Sequence, residues 1–206
     1  MNAVGVCNLA LGRIGHGASR PIQSLSEDSE SARACHRVFD HLMQLTLREH
    51  VWPFAVTASA LAPVPQVVPG WAYVYAMPAN AQFIHALTDC NTDPFQGGAT
   101  LNERTAAFKL FGADSGEGTV IVSDQPNAWA WFNRRIADPA HADDSFRDTL
   151  AWRIAADIAL GLKASADIAR FAADQYTIAL ANAQANVGNE RGRTHMPLPE
   201  NIRVRQ

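Results

Sequence analysis

Apolar residues recur at steps of three and four across residues 24–54, SLSEDSESARACHRVFDHLMQLTLREHVWPF. Cys35, Val38, Phe39, Leu42, Leu45, Thr46 and Glu49 fall on one helix face, and Met43 widens it. The stretch opens with Ser24 or Ser26, then Glu27, Asp28 and Glu30. Ser24 and Glu27 have capping-box spacing, in which each side chain satisfies an orphan backbone donor. The acids also suit the positive end of a helix dipole. Pro53 cannot continue a helix and disfavours helical geometry at Trp52. The pattern predicts a helix over about 26–51, roughly 39 Å long at 1.5 Å per residue. A face of that length must be covered by the rest of the chain or by a neighbour.

Three more stretches carry the helical period. Over residues 2–15, Val4, Cys7, Leu11 and Ile14 share a face, and Gly15 and Gly17 end the run. Asp143, Asp144 and Ser145 open a helix over about 143–163, with Phe146, Leu150, Ile154, Ile158 and Leu162 at steps of four. Ala151, Ala155, Ala156 and Ala159 let another helix approach closely. A fourth helix spans about 166–187, with Ile168, Phe171, Ala172, Tyr176, Ala179 and Ala183 as its expected buried face. The short connection between the last two predicts antiparallel neighbours.

Between these lies a different pattern, over about 54–139. Residues 54–61 are small and apolar. Pro63, Pro65 and Pro69 then make an extended segment that cannot pair as a central strand. Residues 71–77, 83–87, 105–111, 119–123 and 128–135 alternate and read as short strands. GADSGEG and DQPN mark turns between them. The expected class is mainly α: a four-helix bundle over 1–187, with a small antiparallel β module inserted and an extended C-terminal tail over 188–206.

Composition adds bounds. The chain has 206 residues, is 48% hydrophobic and carries a formal charge of −3. No global basic field draws it to nucleic acid. No apolar run reaches transmembrane length, and the N-terminus lacks the positive region of a signal peptide. Cys7, Cys35 and Cys90 are odd in number and widely spaced, which suits a reducing compartment and buried thiols. Four arginines against two glutamates leave residues 188–206 at +2, and so the remainder at −5.

Candidate chemistry is sparse. Glycines 12, 15 and 17 lack the spacing and the Lys-Ser/Thr of a phosphate loop. No cysteine pair or H-E-x-x-H pair has metal-site spacing. His36 and His41 share a helix face poorly. Glu27, Asp28 and Glu30 could serve as a glycosidase pair, but carboxylates at a helix start have a simpler electrostatic reason. No G-x-S-x-G elbow occurs. The expectation is no enzyme, no cofactor and no metal. Trp129 and Trp131 lie two apart on one strand, so they share a face, either core or contact surface.

NLALGRIG at 8–15, SLSEDSESARAC at 24–35 and LREHVWPFA at 47–55 occur in that order. Farther on come YVYAMPANAQFI and FNRRIADPAHADDSFRDTLAWRIAADIALGLKAS. This series resembles the tail tubular protein A family, the head-to-tail adaptors of short-tailed bacteriophages. The match spans roughly residues 5–187. Many members carry an acid where this chain has Asn80, so any role of that carboxylate is absent.

The resemblance implies a virion structural protein, made in the host cytoplasm and placed in the neck of the particle. It implies a ring of about twelve copies with closed symmetry. The ring would lie between the portal protein and the tail nozzle or tail fibre proteins. Genomic DNA would pass through its channel without sequence-specific binding, and the ring would help retain the genome. An acidic body fits such a channel, since fixed cations would hold phosphates. The alternatives are a virion-associated peptidoglycan hydrolase and a small DNA-binding regulator. The tail is the expected attachment arm: Met196, Leu198, Ile202 and Val204 as apolar anchors, Arg191, Arg193, Arg203 and Arg205 as partners for carboxylates.

Overall fold

The structure is a computed structural model that describes residues 1–16, 20–89, 93, 94 and 105–190, with backbone alone for 187–190. In chain order the elements are α1 (Ala3–Arg13), α2 (Glu30–Glu49), β1 (Val56–Ala60), β2 (Tyr73–Ala76), β3 (Ala81–Thr88), β4 (Phe108–Gly112), β5 (Thr119–Ser123), β6 (Trp129–Arg134), α3 (Asp144–Ile158) and α4 (Ala166–Glu190).

α2 begins at Glu30, later than its apolar pattern predicts. Ser29 is the cap, its hydroxyl accepting from Ala32 N–H at 3.1 Å. Glu27 is used upstream: its carboxylate accepts from Gln23 N–H and from the Ser29 hydroxyl, both at 2.8 Å. The Ser24 hydroxyl is paired with Ser26 rather than with a helix donor. The helix stops at Glu49, with His50 already extended. Side chains from outside hold this end. The Asn133 amide of β6 donates to the carbonyls of Leu47 at 2.6 Å and His50 at 2.8 Å. Trp52 Nε1 donates to the carbonyl of Thr46 at 2.9 Å. The last-turn carbonyls that a helix leaves orphaned thus find donors on a strand and on the following turn.

α3 is the pivot of the helical layer and packs against α1, α2 and α4. Asp143 caps it by accepting from Phe146 N–H. Phe146, Leu150, Ile154, Ile158 and Leu162 are all buried in one core with Leu11, Cys35, Met43 and Trp52. Phe146 lies edge-on to both Trp52 and Phe54.

The sheets are antiparallel and three-stranded, in the orders β1-β6-β3 and β2-β5-β4. Two isolated bridges join them at their corners. Pro63 pairs with Tyr75, and Leu87 with Ala106. Around the first corner the chain leaving β1 becomes the neighbour of β2, with Val64 N–H donating to Val74 at 2.9 Å. The strands thus follow one another around a small open barrel, in the cyclic order β1, β6, β3, β4, β5, β2. Its inside is filled by Leu61, Tyr75, Ile84, Leu87, Ile121 and Phe132. Val74, Val120 and Val122 face outward from the second sheet and are covered by Val64, Val68 and Trp71 of the proline-rich segment.

The expected class is therefore corrected. The fold is mixed α/β: among the described residues, four helices hold 41% and two three-stranded sheets hold 21%. It is not a mainly α four-helix bundle. Two physical reasons account for the difference. The middle region builds its own cores and lays a sheet against the end of α2. α4 packs chiefly on α3, so the helices do not enclose a four-sided core.

Candidate functional site

Exposed large apolar side chains gather on α4 and in the turn between α3 and α4. Leu160 is 63% exposed, Phe171 54%, Ile178 51% and Ile168 37%. The sequence places Ile168 and Phe171 on the buried face of this helix, and the structure does not. Among its described side chains only Ala172 and Ala183 are fully inside, with Ala169 and Leu180 packed against the core from its margin. Alanines let the backbones of α3 and α4 approach closely. That choice of contact stripe turns the larger residues of α4 outward. Ile168, Phe171 and Ile178 sit three and seven apart, which keeps them on one side of a helix.

Two groups of polar side chains fix α4 to the layer beneath. In the first, Arg153 of α3 donates to Glu49 of α2 at 2.8 Å and to the Tyr176 hydroxyl at 3.0 Å. Tyr176 in turn donates to Glu49. The guanidinium also lies 5.1 Å from the Tyr176 ring. Burial, then the hydrogen bond to Glu49, push the Tyr176 phenol well above its ordinary range. Both favour the neutral form, because an ionised phenol would lose its donor and face a carboxylate. In the second group, Arg13 of α1 pairs with Asp148 of α3. Its guanidinium stacks 4.0 Å from the Trp152 ring, and Trp152 meets Phe171 edge-on. Burial of Arg13 lowers its pKa, opposed by Asp148.

Sequence reading missed both groups as units. A signal was present for the first: Glu49 is an acidic residue at the end of an otherwise apolar face, one turn from Thr46. Its partners, 104 and 127 residues away, have no local signature.

The residues considered for catalysis are not assembled into a site. Glu27 is held ionised, its pKa lowered first by the Gln23 backbone hydrogen bond and then by Ser29. It is a turn former and poorly suited to donate a proton. Asp28 pairs with Arg33, and Asp144 with Arg147 one turn on. Among the described residues, no three His, Cys, Asp or Glu side chains are grouped as a metal site. Likewise, no described helix is long and apolar enough to cross a membrane. Cys7 and Cys35 are free thiols, both buried between α1 and α2. Their mutual hydrogen bond, then burial, raise the Cys7 pKa. Cys90 lies outside the described residues.

Trp129 and Trp131 do share a face of β6, the one away from the barrel interior, and both are half-buried. Trp131 Nε1 donates to the Thr88 hydroxyl at 3.0 Å. The barrel interior takes Ala130 and Phe132 from the opposite face of the same strand. The eight expected partner-binding residues of the tail, Arg191, Arg193, Met196, Leu198, Ile202, Arg203, Val204 and Arg205, lie outside the described residues. No protein-family model matches the chain, and no curated protein matches it.

Proposed function

We propose that this chain is a structural head-to-tail adaptor of a short-tailed phage virion. Copies form a ring between portal and tail nozzle, continue the DNA channel and help retain the genome. The observation that carries the reading is the outer face of α4. Ile168, Phe171 and Ile178 are exposed along one side of a helix held in place by Glu49, Arg153 and Tyr176, with Leu160 exposed in the turn before it. Exposed apolar surface of this kind marks a protein contact, and in a ring a neighbouring copy covers it. The ordered resemblance at residues 8–15, 24–35 and 47–55 gives that contact its setting. The segment 191–206 is the arm that attaches to the portal, through its arginines and alternating apolar residues.

Sedimentation of the chain mixed with a short-tailed-phage portal ring tests the reading. The expected result is a joint, faster-sedimenting species, lost when residues 191–206 are deleted and weakened by high salt. Unchanged sedimentation of both components overturns it. Clearing of a peptidoglycan suspension by the purified chain would replace it with the hydrolase alternative.

A further inference from the structure

α1 and α2 meet through two thiols. Cys7 of α1 and Cys35 of α2 are both fully buried in the same core. The Cys7 S–H donates to the Cys35 sulfur across the helix interface. The residues one turn away are small: Ala10 follows Cys7, Ala32 precedes Cys35, and both are fully buried. Short side chains there let the two backbones come close enough for the sulfurs to touch. The orientation of α1 is fixed beside the thiol. The Asn8 side-chain amide donates to the Ile22 carbonyl and accepts from Ile22 N–H, both at 2.9 Å. Asn8, the neighbour of Cys7 in sequence, thus ties α1 to the segment that leads into α2.

A single thiol packed among apolar side chains is raised in pKa by burial and is inert. Here the two thiols are unequal. The hydrogen bond from Cys7 holds Cys35 below the ordinary thiol range, against the opposing effect of burial. The same bond, then burial, push Cys7 up. Cys35 is therefore the better nucleophile once it meets solvent, and its donor is a second thiol already in contact with it. A more acidic thiol beside a resolving thiol is the arrangement that disulfide formation uses. Both sulfurs are covered while α1 is seated, so a small oxidant reaches them through local openings of that helix.

We infer that Cys7 and Cys35 are a redox-sensitive latch, joined on two-electron oxidation by a disulfide that locks α1 to α2. The oxidant is a small-molecule disulfide. The Cys35 thiol gives its proton to solvent, and its thiolate attacks one sulfur of the oxidant. One half of the oxidant leaves as a thiolate, and Cys35 holds the other half as a mixed disulfide. Cys7 then loses its proton, attacks the Cys35 sulfur and expels the second half. The two protein thiols have lost two electrons and two protons, and the oxidant has become two thiols. The new bond closes a loop of about 29 residues, which restricts the unfolded chain and suppresses the local opening of α1. In reducing surroundings the pair is an ordinary core contact, and in oxidising ones a covalent staple. The inference does not rest on the adaptor reading, since neither thiol belongs to the exposed side of α4.

The test incubates the full folded chain with millimolar oxidised glutathione at pH 8 and then measures its intact mass. The expected result is a loss of about 2 Da, restored by dithiothreitol. After free thiols are blocked, trypsin should release residues 1–13 covalently joined to residues 34–37. Tm should rise by about 7–14 °C over the reduced chain, the effect of closing a loop of that length in a chain of this size. Amide exchange in α1 should slow about tenfold. Cys35→Ser, treated in the same way, should show neither the mass loss nor the rise in Tm. Three results overturn the inference. One is that both thiols stay reduced in the folded chain under conditions that oxidise the chain in urea. Another is a linked peptide that joins Cys90 to either thiol in place of the Cys7–Cys35 pair. The third is an oxidised chain that melts at or below the temperature of the reduced one.

Discussion

Removing the Asn133 side chain should detach the barrel from the helical layer at a calculable cost. The residue is fully buried. Its amide nitrogen supplies donors to two carbonyls at the end of α2, at 2.6 and 2.8 Å. Asn133→Ala leaves both carbonyls without that donor and opens a small void. An unsatisfied buried polar group costs about 1–3 kcal/mol. Each carbonyl keeps a second lone pair, so the total should be about 2–4 kcal/mol. For a chain of this size that corresponds to a fall in Tm of about 5–15 °C. Asn133→Asp should be worse at neutral pH, because an ionised carboxylate would face two carbonyl oxygens. Protonation restores one donor, so the introduced carboxyl has a raised folded-state pKa. Its penalty is absent below about pH 4, where the unfolded carboxyl is also protonated, and grows as pH rises. Thermal melts of the three proteins between pH 4 and pH 8, followed by tryptophan fluorescence, would test this. Trp52 reports on the same helix end, since it donates to Thr46. The reasoning fails if Asn133→Ala melts within a degree of the parent, or if the Asp variant shows no additional loss at pH 8.

Three other outcomes are expected. Stability should fall as pH rises above 10, the ordinary phenol value, because the raised Tyr176 pKa contributes stability that is present below that point and lost as the folded phenol ionises; Tyr176→Phe should flatten this limb of a Tm-against-pH curve. Thr88→Val should cost about 0.5–1.5 kcal/mol in urea denaturation, the net worth of the hydrogen bond that it removes from the half-buried Trp131 indole. Ile178→Lys should change Tm by no more than about 1–2 °C, as an exposed-site substitution within about 0.5 kcal/mol, yet abolish ring formation by sedimentation if the face of α4 is an assembly surface.

How much could be read in advance depended on whether a feature was local. The α3 face from Phe146 to Leu162 was legible because one core covers all of it. β5 was legible as 119–123 because glycine-rich and proline-containing turns bracket it. β1 was missed: VTASA is small and weakly alternating, and its pairing partner lies more than 70 residues on. The start of α2 was misplaced because Glu27 satisfies Gln23 and Ser29, a choice that spacing alone does not decide between. The class was misjudged for a related reason. The apolar period of α4 is real, but period does not say which stripe is inside, and Ala172 and Ala183 won that place over Ile168 and Phe171. The Asn133 clamp and the Glu49, Arg153 and Tyr176 group join residues far apart in sequence. Polar residues at such positions carry no periodic signal.

The single-sided seating of α4 has a mechanical consequence. Its connection to α3 turns at Lys163, a non-glycine residue with φ of 62°, and its hold on the layer is a stripe of alanines with Leu180, the Tyr176 phenol and the edge-on ring of Phe171. Because it is held from one side only, its amides should exchange through local openings that leave the rest of the α3 core and the barrel intact. The element proposed to meet neighbouring copies is then also one that opens on its own. A contact made through it can adjust its angle by swinging about residues 159–165, and a mismatch between rings of different symmetry can be absorbed there without unfolding the subunit.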